Sequence, residues 1–555
     1  MEAAGLALGA VSLLAAFRGA VDGYVLISDI KNSFEGAGFL VVKQRVEQER
    51  LKIWGDFYLN DHDECGRLQN ESPNTQSLIL YLLMEIELIT TDINKLTVKY
   101  GLRLTDVDTA GDPALYKAAK AGSPFVKDLA IQQRREDKNF DRAHRWGKGI
   151  QWTVTDNSKF EKLVDRLEYL NDSLERVVPR SDSEMLALGL SSYILPSQNT
   201  IGPLSYIQQS GQQLLAACAA MKHVKLSRTL IAKVPDVKAS ELCNESVLSS
   251  SATQRSLATW TRPADGSLID VVVEWKEINR VLSPNDRDQV FSRVKNLCSL
   301  LVRPNPRQFC LLPCVGLTSD QTYAKQHPGH KRLGYVFEYP HTGSDVPCAL
   351  QEVIATAATT QEKDKKFAPL GDRFRLAQAL ASSVLLLHSA KWLHKNLNSE
   401  NVLFFRSKKQ ASSNAVSVLE PYLVGFEFSR PDLLNEPSLE RPVAKQGIKD
   451  EIDIYRHPEW INGFNRLSDI YSLGVLLFEI GLWRPIERYR DKTEELTRTK
   501  LIHNVPLLLP GSMGEVYSAV VLRCLTGDFG LGPNSNDLDK AFWSKVVKEL
   551  DTCRA

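Results

Sequence analysis

Residues 391–405 read KWLHKNLNSENVLFF. A His-Lys-Asn triplet leads into a short polar turn, then Glu400-Asn401, then an apolar, β-like run. The helical stretch RLAQALASSVLLLHSAKWL runs straight into it, and LVGFEFSR (423–430), RHPEW (456–460) and the apolar helix SDIYSLGVLLFEI (468–480) follow. Upstream lie VVVEW (271–275), FCLLPCVGL (309–317) and RLGYVFEYP (332–340), β-branched and aromatic runs that read as strands. Strands followed by helices within one segment predict an α+β domain with a small sheet lobe and a larger helical lobe.

The first 225 residues follow a different pattern. Residues 78–89, LILYLLMEIELI, are apolar almost all round and predict a helix in the middle of a bundle. Residues 160–178 place Phe160, Leu163, Val164, Leu167, Leu170, Leu174 and Val177 at steps of three and four, with Pro179 closing the helix. Further helical pattern covers 35–59 and 204–222, and strand signals are nearly absent. The expectation is a multidomain chain: an all-α bundle over 1–225, a linker over 226–253, and a second domain over 254–555. Its small lobe takes about 254–340 and its large lobe 341–555. The linker assignment rests on the serine-rich stretch KVPDVKASELCNESVLSSSAT.

Composition narrows the function classes. A chain of 555 residues exceeds one core, and a net charge of +1 argues against a dedicated nucleic-acid binder. Nine cysteines are scattered, with only Cys310 and Cys314 close together, so no metal is assigned and reduced intracellular thiols are expected. The ligand-rich DHDE (61–64) has no second cluster. The mildly basic RREDKNFDRAHRWGK (134–148) reads as a solvated face, with anionic lipid as its alternative partner. Residues 3–17, AAGLALGAVSLLAAF, carry Leu6, Leu8, Val11, Leu13, Leu14 and Phe17. The run is shorter than the roughly 20 residues of a membrane span and lacks the positive flank of a secretory signal. It reads as the buried first helix of a bundle, with a segment buried at rest and membrane-active when released as the functional alternative; no other segment competes as a span.

The C-terminal half resembles protein kinases, with six motifs in order. VVVEWK ends in Lys276, which the resemblance assigns to nucleotide phosphates, and RLGYVFEYP resembles the strand running into the hinge. HKNLNSEN resembles H-R-D-x-x-x-x-N, which leaves Asn401 as nucleotide-metal ligand but puts Asn396 where the catalytic aspartate belongs. An amide accepts no proton from a substrate hydroxyl. The neighbouring lysine position is Asn398, and the magnesium-binding aspartate of D-F-G is Gly425, which offers no ligand. ATWTRPADGSLID holds no G-x-G-x-x-G, and Arg293 stands where a helix glutamate would pair Lys276. The resemblance keeps scaffold positions: Asp469 bracing the catalytic loop, Glu459 anchoring the helical lobe, His394 and Phe426 packing between lobes. It implies a pseudokinase that binds ATP weakly, with little dependence on magnesium.

The helical half resembles the HeLo domain of fungal HET-S-type incompatibility proteins. The resemblance rests on MEAAGLALGAVSLLAAFRGAVDGYVLI, on FEGAGFLVVKQRVEQERLKIWG with Phe39, Val42, Val46 and Trp54, and on KFEKLVDRLEYLNDSLERVVP. It implies a protein of heterokaryon incompatibility or regulated cell death. The kinase-like half would hold the bundle in check until an unknown partner or activator releases it, as a homo-oligomer, onto an anionic membrane. The expected location is cytoplasmic, moving to membrane on activation. The competing readings are a weakly active Ser/Thr kinase with an adaptor bundle and a non-catalytic scaffold. Within 425–459, Ser429, Ser438 and Tyr455 carry hydroxyls, and none is singled out as a phosphosite.

Overall fold

The computed structural model describes residues 2–31, 37–59, 67–68, 71–107, 150–226, 234–247, 255–278, 283–302, 306–340, 347–359, 368–405, 417–432, 453–459 and 463–555. The DHDE stretch, the basic cluster 134–148 and Ser438 lie outside them, as do the side chains of Leu6, Leu8 and Val11. Contacts divide the chain into two units. One comprises Met1–Leu190 with Gly202–Ala216, the other Ser191–Ile201 with Ala217–Ala555.

The first unit is built on α1 (Glu2–Leu26), α2 (Ala37–Tyr58), α3 (Pro73–Thr91) and α4 (Asn157–Val177). Asp156 caps α4 by accepting the Lys159 N–H at 3.1 Å. The stripe Phe160, Leu163, Val164, Leu167, Leu170 and Leu174 is fully buried, as its spacing requires, while Val177 at the helix end is only half-buried. Each such side chain contributes about 1.5–3 kcal/mol by leaving water. The α1 helix lies against α3 through Gly19 and Gly23, where a Cβ would overlap Glu87 and Thr90 respectively. Arg50 joins α2 to α4. It is buried beside Glu47 at 2.9 Å and reaches Asp172 at 2.8 Å and Glu175 at 2.9 Å.

Three expectations fail in this unit. It is not all-α: β1 (Ile30–Lys31), β2 (Leu102–Val107) and β3 (Ile150–Val154) form a sheet in the order β1-β3-β2. The Trp152 indole N–H fastens that sheet to the Leu26 carbonyl at 2.8 Å. The α3 helix is not buried all round, because Leu78, Tyr81 and Met84 are 46%, 62% and 55% exposed. The helical pattern over 204–222 is two helices rather than one. α5 (Arg180–Ile194) is followed by α6 (Ile201–Ile207) and α7 (Gln213–Leu226), with Gly211 at φ +78° between the last two. A positive φ breaks a helix, and glycine adopts it at no steric cost.

The second unit opens with a five-stranded antiparallel sheet of order β4-β5-β6-β8-β7. Its strands are β4 (Leu242–Val247), β5 (Arg255–Thr261), β6 (Leu268–Ile278), β7 (Cys314–Ser319) and β8 (Lys331–Glu338). The stretch expected as linker therefore holds the first strand, an edge strand too polar to stand out from a serine-rich loop. Helix α8 (Pro284–Leu301) connects β6 to β7 and starts on a Ser283 cap. Val271, Val273 and Trp275 of β6 pack with Val237, Ala258 and Val336. The period of two then puts Glu274 and Lys276 together on the opposite face.

Helices α9 (Leu370–Ser389), α10 (Arg466–Leu482) and α11 (Glu494–Thr526) build the rest of this unit. Nearly every residue of α10 is buried, which makes it the axis of the region, and an Asn465 capping box starts it. Ser191–Ile201 and Ala217–Leu226 also belong here: Tyr193 packs edge-on to Trp543 at 5.8 Å. Among the described residues, the helix long and apolar enough to cross a membrane is α11, contrary to the expectation that nothing competes with the N-terminal segment. Pro506 and Pro510 lie inside it and Gly514 at φ +84° kinks it. Its buried Leu501, Val505, Leu509 and Tyr517, with the Tyr517 hydroxyl donating to the Leu477 carbonyl at 2.7 Å, mark a core helix.

Candidate functional site

The 391–405 segment is held from below by one carboxylate. Asp469, buried in the first turn of α10, accepts the His394 N–H at 2.8 Å and the Lys395 N–H at 2.9 Å, with His388 Nε2 at 3.2 Å. Lys391 and Lys395 both sit at positive φ (60° and 68°), a conformation costly for residues with a Cβ. The Asp469 bonds to the backbone supply the constraint that holds the second of them. Burial pushes the His394 imidazole down to about 4, so the ring is neutral and accepts the Asn396 N–H on Nδ1 at 3.3 Å. Its face packs on Phe426 at 4.7 Å.

Three asparagines follow, and each amide is occupied by its neighbours. Asn396 donates to Glu427 at 3.0 Å and accepts from Asn398 at 3.1 Å. Asn398 caps the turn Ser399–Asn401 by accepting the Asn401 N–H at 3.0 Å. Asn401 is fully buried, donates to the Asn396 carbonyl at 2.7 Å, and accepts a short hydrogen bond from Arg255. Arg255 also donates to the Glu274 carboxylate at 2.9 Å and to the Glu400 carbonyl at 3.0 Å. Glu274 accepts the backbone N–H groups of Gly425 and, at 3.2 Å, Phe426.

Gly425 stands at φ +88°, and a Cβ there would lie 2.5 Å from the Asn401 amide. The position thus lacks both a side chain and the room for one. Two residues on, Glu427 is half-buried. Desolvation first, and then the nearby Glu274 charge, raise its carboxyl well above the usual range against the pull of Arg255 and Lys276. Lys276 is buried with its ammonium 4.7 Å over the Phe428 ring. Beside it a cavity lined in part by Arg293, Lys395, Glu427 and Arg430 holds about 10 Å³, space for one water.

The remaining sequence-derived positions scatter. Glu459, expected to anchor the helical lobe, is exposed, and its N–H turns back to His457 at 3.1 Å. The buried anchor is Arg466, which meets Asp539 at 2.6 Å, Asp432 at 3.3 Å and the Ser535 carbonyl at 2.8 Å. Of the hydroxyls, Ser429 donates to the His394 carbonyl at 2.9 Å, and Tyr455 lies half-buried between Ser399 and Glu479. Burial drives the Glu479 carboxyl up to about 7. In the N-terminal segment Leu13 is buried and Leu14 half-buried, while the half-buried Phe17 ring presses on Gly55. Sequence reading missed Arg255, Glu274, Glu427 and Glu479. Glu274 alone left a signal, an acid inside an otherwise apolar strand two residues before Lys276.

Residues 267–550, just over half of the chain, match the family described as a domain of unknown function, DUF7580. The chain belongs to that family. Residues 5–205 match a second family, HeLo, described as prion-inhibition and propagation. The chain is also similar to the sporulation protein kinase mde3 of Schizosaccharomyces pombe, 25% identical over 128 residues. That similarity covers 22% of this chain and spans about a fifth, 21%, of the relative's length. A HeLo region thus precedes a mixed α/β region with a weak kinase-like relative.

Proposed function

We propose that the second unit is a bilobal protein kinase-like domain that transfers no phosphate, and that it controls the HeLo region in fungal incompatibility or regulated cell death. One observation carries this reading. The two positions that would supply a base and a metal-binding acid are an amide tied to Glu427 and Asn398, and a glycine with Asn401 in its side-chain space. Phosphoryl transfer works by positioning and charge neutralisation, and both are missing where they are needed. The Asp469 brace and the Arg466–Asp539 anchor support a scaffold kept without its chemistry.

In this reading α1, docked on α3 through Gly19 and Gly23, is the segment released to an anionic membrane. The test uses the purified full chain. Radiolabelled ATP transfers no phosphate above the level of a Lys276→Ala variant. Anionic liposomes leak with Gly23→Val and stay sealed when residues 2–20 are also deleted. Liposomes left sealed by Gly23→Val at high protein concentration refute the membrane role.

A second reading, a weak Ser/Thr kinase, is favoured by Glu427 alone. A half-buried carboxyl of raised pKa at 3.0 Å from the Asn396 amide has the properties of a relocated base. Transfer that is lost in both Lys276→Ala and Glu427→Gln would establish it.

A further inference from the structure

The resemblance assigns Lys276 and Asn401 to a nucleotide and its metal, yet the space between them is filled by the chain itself. Arg255 and Glu274 are each 2% exposed. A buried ion pair is costly unless the remaining donors and acceptors of both groups are used. Here they are. Arg255 donates in three directions, to Glu274, Glu400 and Asn401, and the Glu274 oxygens take the N–H groups of Gly425 and Phe426. The network joins β5, β6, the turn Ser399–Asn401 and the turn Phe426–Phe428.

We infer that Arg255 and Glu274 form an internal plug that excludes nucleotide and divalent metal from this cleft and fastens the sheet to the helical region. This rests on the kinase-like reading of the cleft. A metal does not fit the residues present. The Asn401 oxygen that would bind it faces a guanidinium, and Gly425 brings no carboxylate. A nucleotide does not fit either. The side of the cleft where its phosphates and their metal would lie is taken by the buried Arg255–Glu274 pair and its bonds to Asn401, Gly425 and Phe426. Glu274 adds a second exclusion, since a buried carboxylate next to a phosphate repels it. The weak ATP binding expected from Lys276 and Asn401 gives way to none.

The test is calorimetric titration of the full chain with ATP, with and without magnesium, beside an Arg255→Ala/Glu274→Ala double variant. Both residues are removed because either alone would strand a buried charge. The native chain gives no binding heat at millimolar ATP. The double variant binds at least about tenfold tighter than the native chain, and adding Lys276→Ala removes that gain. Native binding equal to the variant's overturns the plug, as does a double variant of native circular dichroism that ignores ATP. If the double variant does not fold, hydrogen exchange on the native chain decides. Unchanged exchange at the Gly425 and Phe426 amides with ATP upholds the plug, and added protection overturns it. Binding without phosphate transfer would sink the plug and leave the non-catalytic reading standing, whereas transfer would sink both.

Discussion

Glu479 offers the sharpest test of how the second unit is held together. It lies 1% exposed on α10, accepts a short hydrogen bond from Tyr455, and its carboxyl is pushed up to about 7 by desolvation, with Glu487 adding to the rise. The folded chain keeps this proton until about pH 7, while the unfolded chain releases it near 4.5. Between those values unfolding releases a proton, so the contribution of Glu479 is complete below pH 4.5 and is lost as pH rises to 7. At about 1.4 kcal/mol per pH unit the loss reaches ~3 kcal/mol. Glu479→Gln keeps an acceptor for Tyr455 and has nothing to titrate. Its stability advantage over the native chain is expected to be under about 1 kcal/mol at pH 5 and ~3 kcal/mol at pH 8. In melting temperature the gap widens by roughly 3–4 °C between the two conditions for a unit of this size. Thermal unfolding of both proteins at each pH, compared as a difference, cancels the other titrating groups. An equal gap at pH 5 and pH 8 refutes the argument.

Two further outcomes probe the first unit. Gly23→Ala would ordinarily gain up to about 1 kcal/mol of helix propensity, but its methyl overlaps Thr90, and overpacking costs about 1–3 kcal/mol; we expect net destabilisation in denaturant titration, and a stabilised variant would show that α1 does not sit tightly on α3. Arg50→Met leaves Glu47 buried without its partner and is expected to cost about 3–5 kcal/mol. Adding Glu47→Gln should recover much of that loss, and strict additivity of the two changes would contradict the pairing.

What could be read in the residues, and what could not, divides along a physical line. Local periodicity is visible, so the α4 stripe from Phe160 to Leu174 and the proline that closes that helix were legible, while its Asp156 cap was not read. So was the sheet-then-helix order of the C-terminal half. Pairings distant in sequence were not. LRLTDV and IQWTV alternate well enough for strands, but more than forty residues separate them. The Leu78-Tyr81-Met84 face of α3 looks like core in sequence because a hydropathy pattern does not say which neighbours are present. In the candidate site the amide at Asn396 and the missing side chain at Gly425 were plain from single positions. The plug was not, because Arg255 begins an unremarkable strand and its partners lie up to 146 residues away. Glu459 was misplaced because motif order fixes a position in the chain without fixing what it touches. The anchoring charge pair runs instead from Arg466 to Asp539.

On the proposed kinase-like reading, the close approach of Asn401 to Gly425 bears on the history of the site. Restoring aspartate at 425 by one substitution would force a side chain into the Asn401 amide at a backbone angle that disfavours any Cβ, before it could bind anything. Asn401 would first have to withdraw, which exposes Arg255 to the loss of a partner. Each step back toward catalysis is therefore harmful unless another has already been taken. On that reading the loss of chemistry behaves as a ratchet, leaving later change free to act on what the scaffold touches.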